Sequence, residues 1–173
     1  RPLPPTEGND HRHLPRLVVD TERRYQSHLG FGGAFTEAAA TVWQGLPEAA
    51  RDQLLRDYFD PAQGHGYTLG RVHINSCDFS LGHYAHVEQP EDFALARFSI
   101  ERDRQALLPF IRAAQRVAGQ PLQLLASPWS PPAWMKTNDR MDDGGRLRPE
   151  CRAVRAAGQV EVVLASEERA QHV

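Results

Sequence analysis

Two apolar runs in this chain each break off into a short segment crowded with polar and aromatic groups, and that pattern limits the fold. Residues 67–74 give way to Asn75-Ser-Cys-Asp-Phe-Ser, and residues 122–126 to Ser127-Pro-Trp-Ser-Pro-Pro-Ala-Trp-Met. Runs of this length, closed by turn residues, read as strands. The second is the kind of apolar run expected where both faces of a strand are buried. Between them Leu107, Ile111, Ala114 and Ala118 recur at helical spacing. Strands that alternate with helices make a parallel α/β sheet.

The remaining segments fit the same alternation. Residues 1–16 are rich in Pro, His and charge and read as a flexible lead-in. Residues 17–20 read as a short strand, and residues 25–29 as a second candidate before the glycine-rich Gly30-Phe-Gly-Gly-Ala-Phe. Thr36 is placed to cap a helix running to Gln44, with Glu37 in the first turn where the helix dipole favours a carboxylate. A second helix spans residues 47–59, with Ala50, Leu54, Leu55 and Tyr58 on one face, and Asp60-Pro61 and the glycines at 64 and 66 break it. Ser99 is a candidate cap for a third helix, which Pro109 would kink or divide and Gly119 would stop. Residues 141–148 read as a glycine and charge turn region.

Composition narrows the function. The chain has 173 residues, enough for one domain, and a formal net charge of −2 with no basic stretch. That leaves no electrostatic footprint for nucleic acid. Cys77 and Cys151 are too few for a disulfide framework. No run approaches the roughly 20 apolar residues that span a bilayer. His73, His83 and His86 are loosely grouped without the ligand spacing of a zinc site, so no metal is expected. The Gly30 segment lacks the Lys-Ser/Thr end of a phosphate loop.

The candidate functional residues lie just past the strand ends. Asp78 could accept two sugar hydroxyls in a fork; equally, Asp is a common turn residue and could cap a turn or pair with a cation. Arg71, earlier on the same strand, could support it. The Trp129 indole could stack on a sugar face and donate its N–H. Flanking prolines suit a fixed platform and a packed corner alike. Phe79 could wall a pocket. Trp134 and Phe35 read as packing residues.

Three motifs together carry a resemblance. Gly-Phe-Gly-Gly-Ala-Phe-Thr-Glu-Ala-Ala, Ser-Cys-Asp-Phe-Ser and Ser-Pro-Trp-Ser-Pro-Pro-Ala-Trp-Met-Lys-Thr-Asn stand in order between residues 17 and 152. In this the chain resembles the glucosylceramidases of glycoside hydrolase family thirty. The resemblance implies an α/β fold, the N-terminal portion of a (β/α)₈ TIM barrel. It also implies that the lead-in strand belongs to an attached β-sandwich domain. The implied activity is retaining hydrolysis of β-glucosides such as glucosylceramide, without a cofactor. Asp78 matches the aspartate that hydrogen-bonds the glucose hydroxyls and Trp129 the tryptophan against the same sugar. Arg71 matches an arginine on the same strand, and Phe79 follows the aspartate as in the family. Glu37 stands where the family often has Asp.

A retaining glycosidase uses two carboxyl groups about 5–5.5 Å apart. The family's acid/base sits in an Asn-Glu-Pro motif after the fourth strand and its nucleophile after the seventh. Neither is assignable here, and the chain contains no Asn-Glu-Pro. Glu37 with Asp78 is a poor substitute pair, because Glu37 reads as a first-turn helix residue. The expectation is therefore a partial barrel over residues 17–152 that does not hydrolyse substrate by itself. A carbohydrate-binding remnant and a non-functional truncated product are the alternatives. Residues 153–173 diverge from the family and read as a foreign tail from a shifted reading frame near Ala153.

Overall fold

A computed structural model of the chain describes residue 15 and residues 17–157. Thr36 sets its first strand–helix junction. The Thr36 backbone stays extended while its hydroxyl accepts the Ala39 N–H at 3.2 Å. One otherwise orphaned donor is thereby satisfied as the chain passes from β1 (Gly32–Phe35) into α1 (Glu37–Gly45). Helix α2 (Glu48–Phe59) starts directly behind Pro47, whose fixed φ suits a helix start. Strand β2 (Leu69–Ile74) follows. A long loop then leads to α3 (Leu107–Ala118), which Gly119 ends in a left-handed turn at φ 66°, and β3 (Gln123–Pro128) comes next. Beyond it lie two short 3-10 turns, Ala133–Met135 and Pro149–Cys151.

The three strands form one parallel sheet in the order β1-β2-β3. Phe35 pairs with Val72, and Val72 with Ala126. Side chains alternate across a sheet, so Phe35 and Val72 share one face while Arg71 and Leu125 share the other. The first face is covered by all three helices. Phe35 stacks on Phe59 at 5.7 Å and meets the edge of Phe110 at 5.3 Å, and Trp43 lies 5.1 Å from Phe110. Burying each such ring stabilises the fold by roughly 1.5–3 kcal/mol. No helix covers the second face among the described residues; in the expected (β/α)₈ barrel it would be the inner wall.

Several local expectations change. Residues 17–20 form no strand, and Leu17 is 90 % exposed. Residues 25–29 form none either; the first strand is the glycine-rich segment after them. A strand needs a hydrogen-bonded neighbour, and among the described residues only Gly32–Phe35 has one on that side of β2. Ser99 does not cap α3. Its hydroxyl accepts the Glu101 N–H within a run of turns, and the helix begins at Leu107. Pro109 therefore lies in the first turn and kinks nothing. Strand β3 is not buried on both faces, since Leu125 is 66 % exposed on the inner wall. The buried face of α2 centres on Leu55 and Phe59, and Tyr58 is exposed. The flexible lead-in, apart from residue 15, and the tail beyond residue 157 lie outside the described residues. Among those described, no helix is long and apolar enough to cross a membrane.

Candidate functional site

Asp78 and Phe79 occupy the corners of a tight turn at the C-terminal end of β2. Ser80 closes it twice: its N–H donates to the Cys77 carbonyl at 3.0 Å, and its hydroxyl accepts the Cys77 N–H at 3.0 Å. The turn is docked onto the start of α1. The Ala38 N–H donates to the Phe79 carbonyl at 3.0 Å, and the Leu81 N–H donates to Glu37 Oε2 at 2.7 Å. Glu37 is itself gripped by a fork from Arg102, at 2.7 and 3.2 Å. Burial pushes the Glu37 carboxyl up, but the Arg102 hydrogen bond, the Leu81 N–H and the nearby positive charge outweigh it and hold the group below its usual range.

A buried polar cluster supports the rest of the β2 loop. Tyr84 donates to Asp103 Oδ1 at 2.7 Å, and His86 donates from Nε2 to Asp103 Oδ2 at 2.7 Å. Burial alone would raise the Asp103 carboxyl; the His86 hydrogen bond and charge, with Tyr84, bring it below the ordinary aspartate range. Tyr84 is pushed far up by burial and by the adjacent Asp103 charge, and stays a protonated donor. The Arg102 guanidinium packs 4.3 Å over the Tyr84 ring, linking this cluster to the Glu37 fork.

Trp129 stands at the end of β3. It is 36 % exposed, and the Arg71 guanidinium lies 5.5 Å from its ring centroid on the inner wall. Arg71 is steadied by an Nη2 hydrogen bond to Ser127 Oγ at 3.0 Å. The backbone at 129 and 130 hangs from the end of β2: the Trp129 N–H donates to the Ile74 carbonyl at 3.4 Å, and Asn75 Nδ2 donates to the Ser130 carbonyl at 2.9 Å. Farther along, the buried Lys136 ammonium donates to the Met141 carbonyl at 3.1 Å, closing the 136–148 turn.

Arg71 and Trp129 are thus brought together, and Asp78 lies exposed on the neighbouring strand end. Phe79 points elsewhere, into an apolar groove with Ala34, Ala38 and Val42 along the β1 edge. Trp134 and Phe35 are packing residues, as expected. The Trp134 indole donates to the Val87 carbonyl at 3.0 Å, and Phe35 is buried in the core. Glu37 is engaged by Arg102 and Leu81, so it forms no acid/base pair with Asp78. His73 and His86 are buried, and among the described residues no His, Cys, Asp or Glu cluster is suited to a metal ion. Sequence reasoning passed over Asn75, Arg102 and Asp103. Their partners lie far off in sequence, 65 residues away for Arg102 and Glu37, beyond any local periodicity.

This geometry fits the comparisons with known proteins. Residues 28–163 match the family model of the glycosyl hydrolase family 30 TIM-barrel domain. The chain belongs to that family. It is 41 % identical over 133 residues to putative glucosylceramidase 4 of Caenorhabditis elegans, an alignment covering 76 % of this chain and 25 % of the relative. It is 39 % identical over 133 residues to the lysosomal acid glucosylceramidase of Mus musculus, covering 76 % and 26 %. The crystal structure of SrfJ from Salmonella typhimurium superposes with a TM-score of 0.75 at 47 % identity, covering 80 % of this chain and 31 % of that one. The chain spans about a quarter of the length of these curated relatives. The family 30 assignment bears out the expected portion of a TIM barrel.

Proposed function

We propose that this chain forms the sugar-holding wall of a retaining β-glucosidase of the glucosylceramidase type. Asp78 accepts hydroxyl hydrogen bonds from the glucosyl unit, Trp129 presents its indole to the same sugar, and Arg71 fixes the indole from the inner wall. Phe79 follows Asp78 in the same turn and faces the β1-edge groove, away from the sugar. The substrate class is a β-glucoside such as glucosylceramide. One observation carries the reading: Asp78 and Trp129 stand at the C-terminal ends of adjacent parallel strands of a family 30 barrel, the rim where barrel enzymes bind substrate.

Bond cleavage needs an acid/base and a nucleophile at about 5–5.5 Å. Two acids behind the β2 loop are already committed, Glu37 to Arg102 and Asp103 to His86 and Tyr84. Neither of these two acids is free to serve in that pair, and we assign Asp78 and Trp129 to holding the substrate. Titrating the purified chain with methyl β-glucoside, followed by NMR, tests that assignment. Saturable binding should weaken about tenfold or more in Trp129→Ala and in Asp78→Ala, the scale of about 1.4 kcal/mol for one lost sugar contact. Binding that both variants retain refutes the assignment. An aryl β-glucoside should show no turnover above the Asp78→Ala background, and turnover that disappears in that variant would overturn the division of labour.

A further inference from the structure

The loops that carry Asp78 and Trp129 meet farther out, where Phe93 and the Val87 carbonyl engage Trp134, but leave a gap beside Trp129. Between them lies a cavity of about 30 Å³, bordered by Ile74, Asn75, His86, Trp129 and Ser130. The His86 Nδ1 atom, on a buried ring beside this space, has no hydrogen-bond partner among the described residues. Close packing is what usually fixes the relative position of two segments, and beside Trp129 this gap leaves that work to hydrogen bonds. Apart from the Trp134 indole on the Val87 carbonyl at 3.0 Å, the direct ties are few. The Trp129 N–H reaches the Ile74 carbonyl only at 3.4 Å, at the weak end of the range.

Asn75 spans the gap. Its Nδ2 donates across to the Ser130 carbonyl at 2.9 Å, while its Oδ1 accepts the His86 N–H at 3.0 Å from the returning limb of its own loop. One amide thus joins three stretches of chain: the end of β2, the return at 86 and the Trp129 loop. Asn75 sits at φ 62°, a left-handed conformation that Asn adopts more readily than most residues. Its carbonyl also receives the His73 Nδ1 hydrogen bond at 2.7 Å. Backbone and side chain are both committed to this position. Few side chains other than Asn tolerate that φ while offering a donor on one side and an acceptor on the other.

We infer that Asn75 is the positioning residue that sets Trp129 relative to the Asp78 turn, and so sets the width of the sugar-binding edge. The inference rests on the glucoside-holding reading for its functional consequence, but not for the positioning itself. Asn75→Asp isolates the effect. It keeps the size, the left-handed tolerance and the acceptor for the His86 N–H, and turns the donor facing the Ser130 carbonyl into a repelling oxygen. Asn75→Gly keeps the backbone conformation and removes both bonds, and serves if the first variant folds poorly.

The test reads the indole N–H signals of Trp43, Trp129 and Trp134 in the ¹⁵N-labelled chain, with Trp129→Phe to assign the site signal. In Asn75→Asp the Trp129 signal should shift and broaden while Trp43, in the helix-facing core, stays unchanged. Methyl β-glucoside affinity should fall about tenfold, as for loss of a hydrogen bond with an unpaired carbonyl left behind. An unmoved Trp129 signal overturns the inference. So does an equal shift of all three signals, which would make Asn75 a general stability residue. If the parent chain binds no glucoside, the glucoside-holding reading fails, and the indole signals still decide whether Asn75 positions Trp129.

Discussion

Glu37 illustrates how one side chain can hold a functional turn without belonging to the site. It lies in the first turn of α1, where the exposed N–H groups and the helix dipole favour a negative charge. Its two oxygens are shared between Arg102 and the Leu81 N–H, so it clamps the far side of the Asp78 turn to the helix. Glu37→Gln keeps the acceptor for Leu81 but loses the charge that Arg102 pairs with. We expect the variant to lose about 1.5 kcal/mol in urea unfolding, the low end of the range for a hydrogen bond to a charged group. The half-exposed Arg102 end keeps that figure at the low side. Amide exchange should quicken at residues 79–81 while the centre of α3 stays protected. A variant with wild-type stability and unchanged exchange at 79–81 would show that the turn is held by its own Ser80 bonds alone.

At the scale of elements, what the sequence revealed depended on how local the cause was. Thr36 as a cap, Gly119 as a stop and the apolar runs of β2 and β3 are local signals, and each stands where the pattern put it. The site residues Asp78 and Trp129 were legible because they follow those runs directly. Strand β1 was not, because Gly32 and Gly33 have little strand preference of their own. It is a strand because β2 pairs with it, and glycine is required at 32, where a Cβ would lie 1.9 Å from the Leu69 carbonyl oxygen. Gly70 answers the same packing from β2: a Cβ there would meet Phe35 Cε2 at 2.6 Å and Leu124 Cδ2 at 2.8 Å. The Phe35 ring is buried in the core and cannot swing aside, and Leu124 is packed against that core. Gly70→Ala should therefore cost about 1–3 kcal/mol through overpacking, despite the better strand propensity of alanine. Thermal unfolding checks this, and the loss should shrink when Leu124→Ala opens space on the same face. If the two losses simply add, the clash with Leu124 is not the cause.

Across the whole molecule, two acids tie the loop layer to the helix layer, and both are held more acidic than in an unfolded chain. Asp103 is the deeper of the two, with its carboxylate oxygens taken by Tyr84 and His86. Unfolded Asp and Glu titrate near about 3.9 and 4.3. A carboxyl with a depressed folded-state pKa adds stability that is fully present above its unfolded value and is lost as pH falls through its folded value. The stability of the chain should accordingly hold from pH 7 down to about 5 and then decline steeply below about 4. Asp103→Asn should lower the plateau and flatten the acid limb, because the variant has no proton to take up on unfolding at that position. Glu37→Gln should flatten it further in combination. The two sites share Arg102 and Tyr84 through the 4.3 Å stacking contact, so their effects should fall short of additive. Urea titrations from pH 3 to 7 on the parent and the three variants decide the matter. An acid limb that keeps its parent slope in the double variant would place the pH sensitivity in other groups and leave these two acids as purely structural hydrogen-bond acceptors.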